Sequence, residues 1–192
     1  MEQDEIEGAA EKLKMRVVNA HYQLQCDRRI NLHHLSAAIG PSGKLHRGRP
    51  TMLSCRMMTK RVQFFPNGTV QVLGGGVTPS LLNHLHTQIS HLLRQCDSNF
   101  RMENWRVNNF VFHFEFPSKV KLNGCICTQH FSYEPELFPA ALISKWHPAH
   151  VTLFRNGKGM ITGVKSEYDA QCILDDLPTF LAHHTNLSKE SK

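Results

Sequence analysis

Apolar and polar positions along the chain follow two different periods, and the switches between them mark out elements. From Val17 to Cys26, and again from Val107 to Phe116, apolar and polar residues alternate, the period of a strand with one buried face. A short helix or turn is predicted over Asn31 to Ile39 after the first of these strands. Asn67-Gly68 and Asn156-Gly157 each interrupt an apolar run, and Asn-Gly suits the positive φ values of a type I′ turn, so both predict hairpins. Leu82, Leu85, Ile89 and Leu92 then recur at helical spacing behind Thr78-Pro79-Ser80, a capping and first-turn signal. A second helix opens at Ser166-Glu167 and carries Ile173, Leu174 and Leu177; Pro178 is predicted to kink or interrupt it. Gly74-Gly75-Gly76 reads as a chain bend, and residues 1–14 and 186–192 read as polar tails.

These elements occur twice. Phe64-Phe65-Pro66-Asn67-Gly68 returns as Leu153-Phe154-Arg155-Asn156-Gly157, and Val18-Asn19 returns as Asn108-Asn109, both at an offset of about 90 residues. Two copies at one spacing predict a duplicated unit with pseudo-twofold symmetry, its repeats spanning residues 15–95 and 96–185.

Composition narrows the picture. The 192 residues are 41% hydrophobic and 20% charged, which fits one large globular domain or two small ones. No apolar run approaches the roughly 20 residues of a bilayer-spanning helix. The opening Met1-Glu2-Gln3-Asp4-Glu5 is acidic where a signal peptide is basic, so the expected compartment is cytosol or nucleus. The net charge of +6 is unevenly placed. Residues 15–94 carry ten Lys and Arg against Asp27 alone, while residues 95–188 carry eight against nine acidic residues, so the first repeat is expected to face an anion.

Candidate chemistry is sparse. The six cysteines, Cys26, Cys55, Cys96, Cys125, Cys127 and Cys172, lack the spacing of a disulfide scaffold and read as small buried hydrophobes. Cys125-x-Cys127-x-x-His130 has no second ligand pair to close a zinc site, and His33-His34, His84-x-His86 and His183-His184 read as surface or helix-face residues. The acidic pair Asp175-Asp176 reads as a solvated helix face. No nucleophile elbow, phosphate-binding loop or zinc-protease motif occurs, so the expectation is a non-enzyme without cofactor or metal.

One string is specific. Tyr133-Glu134-Pro135-Glu136-Leu137-Phe138-Pro139, followed by Asn156-Gly157-Lys158 and Ile161-Thr162-Gly163-Val164-Lys165-Ser166-Glu167, resembles the TATA-box-binding protein family, whose repeat has the same length. The resemblance covers residues 15 to 185 and implies an α+β saddle: two pseudo-symmetric repeats forming one curved antiparallel sheet, with helices on its convex face. It implies double-stranded DNA as partner, held in the minor groove by the concave face. Asn19, Phe65, Asn109, Val111, Phe138, Phe154 and Thr162 match the family's groove-contacting positions. Such a face pairs donors with the degenerate A·T acceptors and opens base steps with aromatic wedges. Phosphate contacts fall to Arg47, Arg49, Arg56, Lys60, Arg61, Lys145 and Lys158. Glu134, Glu136 and Leu137 match the stirrup that meets transcription factor IIB; a transcription factor IIA-like partner is implied at the edge of the first repeat, and self-association through the concave face stays open.

The first repeat departs from the family pattern. Its second wedge falls near Arg47-Gly48-Arg49-Pro50, which has no aromatic; His21 replaces the valine beside Asn19, and Gln71 and Leu73 replace the groove valine and threonine. The function these residues imply is a nuclear initiation factor of RNA polymerase II with weakened or altered minor-groove binding. The alternative is a saddle kept as a protein-interaction scaffold without DNA. Replacing Arg47, Arg49, Lys60 and Arg61 distinguishes the two: with DNA as ligand, the slope of log affinity against log salt falls by up to about 0.9 for each phosphate no longer neutralised. A titration over a salt series reads this slope, and an unchanged slope speaks for the scaffold.

Overall fold

A computed structural model describes residues 13–122 and 127–190, with side chains to residue 184. The first repeat comprises β1 (Met15–Gln25), α1 (Leu32–Ile39), β2 (Lys44–His46), β3 (Met52–Met57), β4 (Lys60–Phe64), β5 (Thr69–Gly74) and α2 (Pro79–Cys96). The second comprises β6 (Arg106–Glu115), β7 (Phe131–Ser132), β8 (Ala140–Ile143), β9 (His150–Phe154), β10 (Lys158–Val164) and α3 (Glu167–Glu190). The strands form one antiparallel sheet in the order β2-β3-β4-β5-β1-β6-β10-β9-β8-β7. The two halves of that order mirror each other about the β1–β6 seam, so the duplication read from the sequence is a duplication in space.

Alternation decides which side of the sheet each residue takes. In the first repeat Leu24, Leu53, Val62, Phe64, Val70 and Val72 turn to one side and pack with Leu35 of α1 and Leu85, Ile89 and Leu93 of α2. In the second, Phe112, Phe114, Val151, Leu153 and Ile161 pack with Ile173, Leu174 and Leu177 of α3. Each such fully buried side chain contributes about 1.5–3 kcal/mol. The two cores meet across the seam, where Tyr22 and Phe110 pack edge to face at 5.9 Å. Helices α1, α2 and α3 therefore lie behind one side of the sheet, and among the described residues the other side is bare.

Local signals account for the element ends. Asn31 Oδ1 accepts from the backbone of His33 and His34, capping α1, and Thr78 caps α2 by accepting from Leu81 N–H. Ser166 Oγ accepts from Asp169 N–H at the start of α3. The buried stripe of α2 ends on Leu93, with Leu92 only partly buried. Helix α3 continues past Pro178 to Glu190, so the predicted interruption does not occur and residues assigned to the polar tail extend the helix. Leu177, Phe180 and Leu181 hold both sides of the proline in the core. No helix matching α1 follows β6 among the described residues.

Other expectations are corrected by burial. Cys26 and Cys55 are buried, which pushes both thiols up to about 11, but Cys127 and Cys172 are exposed, and Cys125 lies outside the described residues. His184 is buried between the Phe131 and Phe180 rings, its Nδ1 against the Phe180 carbonyl. Asp176 is held rather than free: it accepts from Lys145 at 2.6 Å and Trp146 at 2.9 Å, which together keep its carboxyl below the usual range.

The hairpins differ from the type I′ expectation. Gly68 and Gly157 have φ of 91° and 89°, while Asn67 and Asn156 stay outside the positive-φ region. Gly68 N–H donates to Phe65 O at 3.1 Å, and Gly157 N–H to Phe154 O at 3.0 Å. This is a type I turn closed by a left-handed glycine, and Pro66, whose ring fixes φ near −65°, enforces it in the first repeat. The turn with two positive φ values is Met58-Thr59, at 46° and 69°, between β3 and β4. Neither residue suits that conformation, and Thr is β-branched. Replacing Met58-Thr59 with Asn-Gly should stabilise the fold by about 1 kcal/mol, read as a higher denaturation midpoint; a lower midpoint would contradict this account of the turn.

Candidate nucleic-acid interface

The bare side of the sheet is built by the residues that alternate with the core. Across the first repeat, strand pairing aligns Gln23, Gln71, Gln63, Ser54 and Lys44 in one row spanning β1, β5, β4, β3 and β2. In the second, His113, Met160, Thr152, Leu142 and Ser132 form the matching row across β6, β10, β9, β8 and β7. A parallel row in the first repeat runs His21, Leu73, Arg61 and Arg56.

At the seam, antiparallel pairing sets Asn19 opposite Val111 and His21 opposite Asn109. Two bulges flank this centre, with Val18 as the extra residue in β1 and Asn108 in β6. Asn109 Oδ1 accepts from Gly163 N–H at 2.7 Å, and Asn19 Oδ1 accepts from Ala20 N–H at 3.0 Å. With both oxygens engaged by backbone, the amide nitrogens are left as donors beside the dyad. Gly163 is required for this approach: its φ is 83°, and a Cβ would lie 2.4 Å from Pro148 O. Thr162 stands next to it, its hydroxyl 3.5 Å from His150 O.

His21 is the seam residue that breaks the symmetry. Its Nδ1 accepts from Asn108 Nδ2 at 3.0 Å, which puts the ring proton on Nε2, a buried atom without a hydrogen-bond partner among the described residues. Burial lowers the imidazole pKa below its usual value, with the Gln71 carboxamide opposing the shift, which favours the neutral ring.

The outer end of the second repeat carries the aromatic pair. The Phe138 and Phe154 rings lie 6.3 Å apart, and Phe154 pairs in register with Ala140, two residues after Phe138. Phe138 is 44% exposed, held by a turn in which its N–H and that of Leu137 donate to Glu134 O. Leu137, at 80% exposed, projects from this turn with the exposed Glu134 and Glu136. The first repeat is different. Phe64 pairs with Leu53, which sets Phe65 opposite Met52, and Pro50 then occupies the position of Phe138. Phe65 is half-buried, and a proline stands where the second repeat has the partner ring.

The expected phosphate contacts divide. Arg47, Arg49, Arg56 and Arg61 are exposed on or beside the first-repeat face, and Lys158 is exposed at the start of β10. Lys60 donates to the Gly75 carbonyl at the glycine bend. Lys145 is a correction: its ammonium pairs with Asp176 and lies over the Trp146 and Phe180 rings, so it faces α3 instead of the groove. Sequence alone does not reveal the glutamine row. Gln23 and Gln63 are legible as the polar partners of Leu24 and Phe64 in alternating strands, but only strand register shows that they align with Gln71.

The family model for transcription factor TFIID, or TATA-binding protein, matches residues 104–184. Among solved structures, the chain is similar to the Methanococcus jannaschii TATA-binding protein, with a TM-score of 0.71 at 21% identity over 88% of this chain and 99% of that one. An A. aeolicus tRNASec complex with M. kandleri SerRS matches with a TM-score of only 0.38, at 8% identity over 91% of this chain and 31% of that one. A search of curated protein sequences finds no match. The second repeat matches the sequence model of the TATA-binding-protein family, and the described chain as a whole has the saddle fold of the archaeal protein.

Proposed function

We propose that this protein is a nuclear transcription initiation factor that grips the DNA minor groove asymmetrically and helps assemble the RNA polymerase II machinery. The observation that carries this reading is the Phe138–Phe154 pair at one outer end of the concave face, with Phe65 and Pro50 at the corresponding place in the other. Two adjacent rings, one partly exposed, form a wedge that can enter a base step; unstacking such a step costs a few kcal/mol, offset by the larger surface a bent duplex brings against the protein. The amide nitrogens of Asn19 and Asn109 supply donors for the N3 and O2 acceptors of A·T pairs at the centre. Arg47, Arg49, Arg56 and Arg61 supply positive charge over the first repeat, where the single Phe65 makes a weaker wedge.

The stirrup provides the assembly surface. Leu137 offers an apolar contact between the carboxylates of Glu134 and Glu136, a pattern suited to a basic partner with an apolar pocket, as a transcription factor IIB-like protein would present. The outer edge of β2 ends the sheet order, and its outward backbone groups are ones that a transcription factor IIA-like strand can extend.

Titration of an A·T-rich TATA duplex and a scrambled duplex, each over a salt series, tests the DNA reading. The wild-type protein should prefer the A·T duplex, and Phe138→Ala with Phe154→Ala should remove at least ~1–3 kcal/mol of that preference, the scale of one mismatched base pair. Equal binding to both duplexes by the wild-type protein would reduce DNA to a charge partner, and no binding at low salt would replace this reading with the protein scaffold.

A further inference from the structure

The two repeats set different floors on the same backbone register. His21, Gln71 and Ser54 in the first repeat stand where the second repeat has Val111, Met160 and Leu142. Gln23 and Gln63 flank Gln71 in its row, so three carboxamides and a hydroxyl lie side by side on the face of the first repeat. None belongs to either core. Gln71 Nε2 donates to Gln23 Oε1 at 3.5 Å, and the Gln71 oxygen, the acceptor of this carboxamide, lies toward His21 at the edge of the same face. The same face carries Arg61 and Arg56, so the ligand it suits is anionic.

In the minor groove, A·T and T·A pairs present acceptors only, whereas a G·C pair adds the guanine N2 amino donor. An apolar floor tolerates the first and penalises the second, because it leaves that donor buried without a partner. A carboxamide presents an acceptor as well as donors and removes the penalty. Building on the proposed DNA function, we propose that the first-repeat floor tolerates G·C pairs better than the second does, through Gln71 and Ser54 where the second repeat has Met160 and Leu142; the counterparts of Gln23 and Gln63, His113 and Thr152, are polar in both repeats. The protein then reads a mixed site, A·T-rich in one half and G·C-containing in the other, and the asymmetry of the site sets the direction in which the saddle sits.

The test uses the full chain and four duplexes: an A·T box covered by both repeats, the same box with G·C pairs in one half, the box with G·C pairs in both halves, and the last with inosine in place of guanine. Inosine lacks the N2 amino group and leaves the minor-groove acceptors of the pair in place. The half-substituted duplex should bind at least as tightly as the A·T box. Substitution in both halves should weaken binding roughly tenfold, the scale of a single base-pair mismatch, and inosine should restore it. Gln71→Met with Ser54→Leu, which installs the second-repeat residues, should weaken binding of the half-substituted duplex by a similar factor relative to the A·T box. Conversely, Met160→Gln should gain tolerance of G·C in both halves. Thermal melting of each variant separates a change of floor from a loss of fold.

Equal weakening by G·C in one half and in both, with the A·T box still bound, would overturn this inference and leave the proposed DNA function standing. Failure to bind any of the four duplexes at low salt would overturn both.

Discussion

The antiparallel pairing of β1 with β6 joins two half-sheets that have separate cores, and the shape of the bare face depends on it. From Met15 opposite Phe114 to Gln23 opposite Arg106, one ladder carries the strand order from the first repeat into the second. Its bulges at Val18 and Asn108 are related by the same pseudo-twofold as the repeats. The register also fixes which side chains meet: a slip of one residue would turn Asn19 and Asn109 into the helices and bring Ala20 and Phe110 to the open face. Tyr22 against Phe110 ties the cores together directly behind that centre.

Around this seam the fold is symmetric and the chemistry is not. The second repeat keeps two rings at its outer end, a floor with Met160 and Leu142 among His113, Thr152 and Ser132, and a projecting acidic turn. The first keeps one ring, replaces the other with Pro50 and fills its floor with carboxamides and basic side chains. Both floors stand on equivalent strands because what faces away from the helices is free of the packing constraint that fixes Val70, Val72, Val62 and Phe64 behind them. A duplicated sheet can therefore keep its core and diverge on its face, and the face is where a ligand is read. His21 shows the limit of that freedom: it is half-buried at the seam, where burial favours its neutral form, and anchored through Asn108.

Much of this is legible in the sequence. Alternation marks the two long strands within a residue or two of their ends, the caps at Asn31 and Thr78 are readable, and two repeated segments agree on one period. The string from Tyr133 to Pro139 points to the family through the repeat that its model matches. Other features are not legible, for identifiable reasons. Asn-Gly predicts a turn, but Pro66 and strand geometry choose its type, and the Met58-Thr59 turn has no sequence signal because tertiary pairing imposes it. Pro178 would break an isolated helix, yet the core on both sides holds α3 together. Lys145 counts as a positive charge in any composition, and only packing shows that Asp176 takes it. The glutamine row emerges from register, which links positions up to 48 residues apart and has no local trace.

The central claim is that this saddle is asymmetric in action, with a two-ring wedge that opens a base step at one end and a weaker, single-ring wedge at the other. A 2-aminopurine probe, whose fluorescence rises when it is unstacked, tests it most directly when placed in turn at the base steps under the two ends of the bound protein, on a mixed site that fixes orientation. Brightening at the step under Phe138 and Phe154, with a much smaller change under Phe65 and Pro50, is the predicted result. Equal brightening at both ends, or none at either, would contradict it.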